Sequence, residues 1–403
     1  HVKKRPGRDI TKRNAKRIRQ LGIPSNMHLL ETNQITENQW RAFLGMESHV
    51  EEYKAVGGSL WLDIEKNCGE IQAWTGTEVD KDTLQRLTCS FFINSMSIES
   101  PDGNVIGSSL DPDAAMMNHS CEPNTAFFFE GHELRVRSTT NILAGEELTI
   151  SYIDPTEHFD FRHEELRSKY FFECSCKKCE KRVPGPGELK TRDPQFHKRI
   201  KEAQNSLRSI LHPNTQITSI EAIENAVTRI SHEGYPEGDW PYELQPMPRV
   251  VVALAMAYQD ENLPKALRFW LQTCFEIDPF IWPTPHDFRP IENFMKYLGV
   301  QGAIANLLAE DDPSVRELQE LKSPITMLQY PHIMRFVRDA ERGFGKDSTI
   351  AGVARVWQLR WNSIVSMQGI DREALVSFYT GKEGKLEIKK NEDKLLEWAR
   401  ARR

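Results

Sequence analysis

Two short segments decide how this chain folds: NHSCEPN at residues 118–124 and GEELTISY at residues 145–152. Between them lie two short runs, 125–129 and 134–138, which flank the turn residues Glu130-Gly131-His132. This pattern is typical of a β-hairpin. The turn residues Ala144-Gly145 predict that a further strand follows over 147–152. We therefore expect a small β structure that holds both segments.

A cluster of cysteines follows, in the sequence CSCKKC at residues 174–179. The chain has seven cysteines, an odd number and a low density for a disulfide-stabilised scaffold. A structural zinc ion prefers four thiolate or imidazole ligands in a tetrahedron. The cluster supplies three of them, and Cys121 is the next nearest cysteine in sequence. This favours a zinc site, with reduced thiols in a simple turn as the alternative.

The order of these three segments resembles that of a SET-domain protein-lysine methyltransferase with a post-SET zinc site. The helical patterns on both sides make the chain most similar to the SET-and-MYND (SMYD) family. The resemblance is specific over residues 80–182 and rests on architecture alone over 1–80 and 188–403. It implies methyl transfer from S-adenosyl-L-methionine to a lysine side chain of a protein substrate, histone or non-histone, with Zn²⁺ as a second cofactor.

The resemblance also implies a set of ligand-binding residues. The metal ligands it implies are Cys121, Cys174, Cys176 and Cys179. For S-adenosylmethionine it implies Asn118 and His119, with Phe172 stacked on the adenine and Asn94 beside the cofactor. Phe171 is an alternative to Phe172 in that role, and Asn94 is alternatively an ordinary helix cap.

The resemblance makes Tyr152 the catalytic residue and places Tyr170 in the channel for the target lysine. The attacking amine must be neutral, although the reference pKa of lysine is about 10.4. A narrow apolar channel and a nearby positive sulfonium both disfavour the ammonium form. The enzyme then mainly has to align the amine with the methyl group. A phenol hydroxyl suits this task because it orients the amine without being a strong base.

The coarse fold class is α+β, a SET β-fold with a helical insert and a zinc site, followed by an all-α, TPR-like domain. Before residue 97, the apolar spacing predicts one helix from Trp40 to Tyr53, a break at Gly57-Gly58 and two more helices, the last ending near Asn94. Thr36 and Gln39 form a capping-box pattern. Residues 100–125 are predicted to be loop. Cys68, Cys89 and Cys274 fall on apolar helical faces and are expected in cores.

The domain boundaries follow from these patterns. We predict a basic N-terminal segment with a helical insert at 1–99, a SET core at 100–160 and a zinc-binding segment at 161–182. VPGPG at 183–187 is a predicted linker. Residues 188–403 are predicted to form stacked helical hairpins, although no clean 34-residue period is present.

Composition narrows the class of protein further. The chain has 403 residues and a formal charge of −6, and its longest apolar run, Val250–Tyr258, has nine residues against the ~20 that a bilayer requires. There is no apolar N-terminal segment of the signal-peptide type. We expect no membrane insertion and no direct binding of nucleic acid. The basic residues near the N-terminus suit contact with nucleic acid or an acidic partner, a nuclear address, or simply a solvated helix or tail. The expected location is the cytoplasm and/or nucleus.

Two features of the family are missing from the sequence. No GxG strand precedes residue 100, and no MYND finger with dense cysteine and histidine pairs is present. Because the chain begins at His1, we interpret this as truncation of a longer protein. The competing hypothesis is a catalytically inactive SET-fold scaffold that binds partner peptides through its helical C-terminal domain.

Overall fold

The structure is a computed structural model that describes most of the chain. The described residues are 36–99, 105–131, 133–182, 198–199, 202–203, 205–206, 220–234, 240–284 and 287–401. They form two compact units, one containing the residues up to Asn118 together with 163–174, the other containing 119–162 and the residues from Ser175 onwards. The basic N-terminal segment and the predicted linker at 183–187 lie outside the described residues. The predicted domain boundaries stay predictions.

The first unit is built mainly from helices. Its elements in chain order are α1 (Glu37–Gly45), α2 (Val50–Val56), α3 (Gly58–Thr75), α4 (Lys81–Asn94), β1 (Met96–Glu99), β2 (Val105–Ser109) and α5 (Pro112–Ala115). Strands β1 and β2 pair antiparallel. The helices enclose a small core of Tyr53, Ile64, Cys68, Leu84 and Cys89. The predicted core positions of Cys68 and Cys89 are therefore confirmed.

The start of α1 follows the predicted capping box. The Thr36 hydroxyl accepts a hydrogen bond from the backbone N–H of Gln39 at 3.2 Å, and the Gln39 side chain accepts one from the Thr36 backbone at 2.8 Å. Two of the four free N–H groups at this helix end are thus satisfied by local chemistry. The predicted ending of the third helix near Asn94 is also confirmed, because α4 ends at that residue.

The single helix predicted from Trp40 to Tyr53 is wrong. Met46 is extended and ends α1 by donating its backbone N–H to the carbonyl of Phe43 at 3.1 Å. His49 then adopts a left-handed conformation, with φ of 47°, immediately before α2. The apolar spacing runs through both helices, of which α1 buries Phe43 and α2 buries Tyr53, so the spacing alone does not show the break.

Residues 105–119 also depart from the predicted loop, since they contain β2, α5 and the two-residue strand β3 (Asn118–His119). Helix α5 begins because the Asp111 side chain accepts the backbone N–H of Ala114 at 2.9 Å. Conversely, the strand predicted over 147–152 is shorter than expected, because β6 comprises only Thr149–Ile150. Strand β6 pairs with β3.

The predicted hairpin is confirmed. Strand β4 (Thr125–Glu130) pairs antiparallel with β5 (Glu133–Ser138), in register from Thr125 opposite Ser138 to Glu130 opposite Glu133. The hairpin packs into the helical part of the second unit, because the Phe128 ring lies 5.2 Å from Phe288 and 4.8 Å from Phe344.

Helices make up the rest of the second unit. They are α6 (Phe159–Tyr170, which runs on into the first unit), α7 (Lys177–Glu180), α8 (Ile220–Gly234), α9 (Met247–Ala257), α10 (Leu263–Gln272), α11 (Asp278–Ile281), α12 (Arg289–Ala309), α13 (Lys322–Gly343), α14 (Thr349–Met367), α15 (Arg372–Thr380) and α16 (Lys382–Arg400). A π-helical turn, Thr273–Ile277, joins α10 to α11, and a 3₁₀ segment, Pro313–Leu321, precedes α13. The predicted α+β class with a helical C-terminal domain is confirmed.

Most of the helices from α9 onwards pack against the next one or two in the chain, around a core that includes Trp270, Tyr297 and Phe336. Cys274 is buried in the same core, as predicted. Helix α16 is different, because it also packs against α10 and α13. In a simple repeat array each repeat contacts only its neighbours. The TPR-like character of this domain stays a prediction. Among the described residues, no helix combines the length and apolar character needed to cross a membrane.

Candidate active site and metal centre

The two signature segments are tied together by backbone and side-chain hydrogen bonds. The backbone N–H of Ser120 donates to the carbonyl of Ile150 at 2.9 Å. The Asn124 side-chain amide both accepts and donates. Its oxygen accepts a hydrogen bond from the backbone N–H of Thr149 at 2.9 Å, and its nitrogen donates one to the carbonyl of Glu147 at 2.8 Å. A side chain thus replaces a strand partner at Glu147, which explains why β6 is short. The segments NHSCEPN and GEELTISY form one structural unit.

The imidazole of His119 lies between Tyr152 and the cysteine cluster. Its Nδ1 accepts the backbone N–H of Tyr152 at 3.0 Å, which in a neutral ring places the proton on Nε2. That Nε2 lies 3.2 Å from the sulfur of Cys121, so it can donate to a thiolate there. Both ring nitrogens are therefore engaged within the protein. If His119 contacts a cofactor, the contact would therefore be made by its backbone atoms.

The structure brings together the four cysteines predicted as metal ligands. The sulfur atoms of Cys121, Cys174, Cys176 and Cys179 all lie within 4.8 Å of one another, and those of Cys121 and Cys179 are 3.5 Å apart. A tetrahedral zinc ion with Zn–S bonds of ~2.3 Å requires sulfur atoms ~3.8 Å apart. None of the four forms a disulfide, and three of them are buried. The donor set and its geometry fit zinc.

The segment that follows Tyr152 is held by side chains from elsewhere in the second unit. Lys178, in α7 between two of the cysteines, donates to the carbonyl of Pro155 at 2.8 Å. Arg249, in α9, forms an ion pair with Asp154 at 2.6 Å. Burial alone would raise the pKa of Asp154, but the Arg249 charge and hydrogen bonds from Thr156 hold that pKa below its usual value. The backbone beyond Tyr152 is thus anchored on both the cysteine side and the helical side.

The other predicted site residues belong to the first unit. Asn94 ends α4, and its amide nitrogen donates to the carbonyl of Ser90 at 2.7 Å and to that of Glu47 at 3.0 Å. These bonds tie the end of α4 to the connection between α1 and α2 and use both amide hydrogens. The Asn94 oxygen remains as the atom suited to accept from a ligand. Asn118 lies exposed at the start of β3.

The aromatic residues at the end of α6 have distinct environments. Tyr170 is buried, and this burial, with the nearby charge of Glu165, raises the pKa of its hydroxyl well above the usual value. Phe171 has a positive φ of 59°, and its ring packs edge-on against Tyr53 at 4.9 Å between ring centres. Phe171 is therefore part of the first unit's core. Phe172, which is half-buried, remains the better candidate of the two for stacking on a cofactor.

Comparison with known proteins agrees with this geometry. Residues 9–153 match the SET domain family. The chain carries a SET domain and is related to the SMYD proteins. It is 36% identical over 121 residues to N-lysine methyltransferase SMYD2-A of Xenopus laevis, covering 29% of this chain and 28% of that protein. It is 34% identical over 135 residues to SET domain and MYND-type zinc finger protein 6 of Schizosaccharomyces pombe, covering 34% of this chain and 28% of that protein.

A third relative is histone-lysine N-methyltransferase SMYD3 of Mus musculus, which is 34% identical over 117 residues, or 29% of this chain and 27% of that protein. The chain thus aligns with less than a third of the length of each of these relatives. The family match begins well before the segment over which the motifs alone are specific.

Sequence reasoning missed several residues that position this SET domain. Lys178 lies within the cysteine cluster but was not assigned a role. Asn124 belongs to the quoted motif, so its amide could have been recognised as a candidate for bonding to GEELTISY. Arg249 gave no such signal, since it lies 95 residues from Asp154 in an otherwise apolar helix.

Proposed function

We propose that this chain transfers methyl groups from S-adenosyl-L-methionine to lysine side chains of a protein substrate. The observation that carries the proposal is the hydrogen bond from the Tyr152 backbone to His119, which fixes the end of GEELTISY against NHSCEPN. The names of two relatives, SMYD2-A as an N-lysine and SMYD3 as a histone-lysine methyltransferase, support the same chemistry.

We assign Tyr152 the role of orienting the target amine. Its ring is half-buried and lies 5.3 Å from the ring of His119, so the phenol is held by contacts on both its backbone and its ring. S-adenosylmethionine, when bound, supplies a methyl group already activated on a sulfonium. The hydroxyl of Tyr152 then has only to orient the neutral amine for in-line attack. Tyr170, buried and with a raised hydroxyl pKa, stays protonated and suits the lining of a lysine channel.

Cofactor contacts are proposed for Asn118, for the backbone of His119, for Phe172 and for the amide oxygen of Asn94. The four cysteines would hold a structural zinc ion. Four thiolates complete its tetrahedron, so the ion would have no open position for substrate. Its contribution would be to folding, because it would link NHSCEPN to the segment that begins at Cys174.

The proposed substrate is a protein that presents a lysine, histone or non-histone, and the helical C-terminal domain is a proposed surface for peptide partners. The proposed location is the cytoplasm and/or nucleus. The overall negative charge favours a basic peptide in a general way.

The test is transfer of tritium from labelled S-adenosylmethionine to histones and to a cell lysate, with the zinc-loaded protein. Tyr152→Phe removes one hydroxyl and should lower transfer on the order of 100-fold, while binding of S-adenosylmethionine by calorimetry is retained. Tyr379→Phe is the matched control, because that hydroxyl bonds to the carbonyl of Met327 within the helical domain. Absence of both transfer and cofactor binding in the wild type would favour the scaffold alternative.

A further inference from the structure

The five residues after Tyr152 form a compact turn held by their own side chains. The Asp154 carboxylate accepts from the backbone N–H of Thr156 at 2.9 Å and from its hydroxyl at 2.6 Å. The Ser151 hydroxyl donates to the carbonyl of Ile153 at 2.8 Å. Ile153, Thr156 and Glu157 are buried. The turn therefore moves as one piece, and Tyr152 is attached to it directly.

Two side chains hold this turn: Arg249 in the first turn of α9, and Gln245 two residues before that helix begins. The guanidinium of Arg249 lies 2.6 Å from Asp154 and 3.5 Å from Glu157, one nitrogen to each carboxylate. The buried amide of Gln245 donates to the hydroxyl of Thr156 at 2.7 Å. The Thr156 hydroxyl in turn donates a hydrogen bond to Asp154, so a continuous chain of hydrogen bonds runs from Gln245 to the carboxylate.

Helix α9 is itself firmly seated in the helical domain. Val250, Val251 and Leu254 are all buried in its core. Because interiors are close-packed, the backbone at Arg249 moves only if the surrounding core also moves. The position of the turn after Tyr152 therefore depends on the helical domain.

We propose that Arg249 and Gln245 are positioning residues for Tyr152, through which the helical domain sets the rate of methyl transfer. The inference rests on the proposed function and adds to it a route by which a partner bound to the helical domain would alter catalysis. Alignment-controlled reactions are sensitive to small displacements, since a shift of ~1 Å can cost up to ~100-fold in rate.

An effect of Arg249 on the position of Tyr152 can be distinguished by experiment from an effect on the stability of the fold. The Arg249 side chain is 44% exposed and that of Asp154 is 24% exposed. An ion pair this open to water contributes little to stability. Arg249 also lies 3.5 Å from Glu157, whose side chain is only 5% exposed, so Arg249→Met costs more than the loss of an open pair. Arg249→Lys keeps a positive charge beside Glu157 and is the variant expected to fold should Arg249→Met not do so. The matched control is Arg355→Met, because Arg355 is 40% exposed, pairs with a 28% exposed Glu341 at 3.1 Å and lies on α14.

The experiment uses the whole zinc-loaded chain and two readouts. The first is the kcat and KM of methyl transfer, and the second is hydrogen exchange of the backbone over residues 152–158. For Arg249→Met we expect kcat to fall about 10-fold with KM for S-adenosylmethionine changed less than twofold, together with faster exchange confined to this segment. Arg249→Lys, which can pair with one carboxylate at a time, should recover part of the kcat, and Arg355→Met should leave both readouts at the wild-type level.

The proposal is overturned if backbone hydrogen exchange over residues 152–158 is the same in Arg249→Met as in Arg355→Met. It is also overturned if hydrogen exchange in Arg249→Met rises uniformly through the chain. Unchanged kcat in an active protein overturns it as well. Should the wild type transfer no methyl group at all, the proposed function fails, and the exchange comparison still decides whether α9 holds the turn.

Discussion

The segment from β3 to α7 and the helical array from α9 to α16 are held by different kinds of interaction. Outside the β4–β5 hairpin and helix α6, the first contains only strands of two residues, and its chain path is set by single hydrogen bonds and by four thiols. The second is held by apolar side chains buried over many helices. Area-dependent burial is shared among many residues, whereas a buried polar bond depends on one pair of atoms.

This difference determines which residues can be replaced by mutation in each region without loss of structure. In the array, a core side chain can be replaced by another of similar volume at modest cost. Around the motifs, the residue type itself is required. Asn124 uses both an acceptor and a donor, and His119 uses both ring nitrogens. The functional region therefore has less redundancy than the scaffold that supports it.

Removal of the proposed zinc ion should have the largest effect and should disrupt the motif region while sparing the array, because structural zinc can contribute ~10–16 kcal/mol to folding in small domains. Chelation, or Cys121→Ala, should abolish methyl transfer and raise hydrogen exchange over 119–124 and 174–182, while helical circular dichroism from the array persists. Metal content by mass spectrometry should fall from about one zinc per chain to none. Cys274→Ala removes a buried cysteine outside the cluster and should keep the metal. Full metal content in Cys121→Ala would contradict the ligand assignment.

A buried acid offers a second test, this time within the array. Burial, with a contribution from the nearby charge of Asp287, raises the pKa of Asp278 to about 7, although Asn293 donates to it at 3.1 Å. The folded state thus holds a proton that the unfolded state releases near pH 4, so this group's contribution to stability is lost as pH rises from about 4 to about 7. Asp278→Asn should gain up to a few kcal/mol over wild type at pH 8 and little at pH 4, by denaturant unfolding at each pH.

Asp260 supplies the control for that measurement. It is exposed, and Asp260→Asn should change the free energy of unfolding by no more than about 0.5 kcal/mol at either pH. A stability difference for Asp278→Asn that does not grow with pH would mean that the carboxyl is ionised in the folded protein throughout.

The smallest effect is expected from one hydrogen-bonding amide in the motif region. Asn124→Ala leaves the backbone groups of Thr149 and Glu147 without their partner, at a cost of about 1–3 kcal/mol. Faster hydrogen exchange at the backbone of Thr149 and a loss of methyl transfer would show this destabilisation. Asn141→Ala, at an exposed position, is the matched control. Equal behaviour of the two variants would show that the motifs hold together without the amide.

The sequence predicts well those features that local chemistry determines. The hairpin, the capping box at Thr36 and the end of α4 at Asn94 all come from short-range patterns, and all are confirmed. The four cysteines are likewise predicted as one set, because the family resemblance supplies the fourth member, and their sulfur atoms lie within 4.8 Å of one another.

The features that the sequence does not reveal depend on distant residues. Arg249 and Asp154 are paired across 95 positions, and no periodicity marks the bond. The choice between Phe171 and Phe172 depends on the left-handed backbone at Phe171, which turns that ring towards Tyr53. The break between α1 and α2 is hidden because each helix buries an aromatic residue, Phe43 in α1 and Tyr53 in α2, within one continuous run of apolar spacing.

The return of α16 to α10 and α13 bears on how the helical domain is assembled during synthesis. Leu395 and Ala399 are fully buried, and Arg400 contacts Glu276 across 124 positions. The core around α10 thus stays partly uncovered until the ribosome has released a segment more than a hundred residues further on. At ~5–20 residues per second this leaves several seconds of exposure, a period in which chaperone binding to α10 and α13 would be favoured.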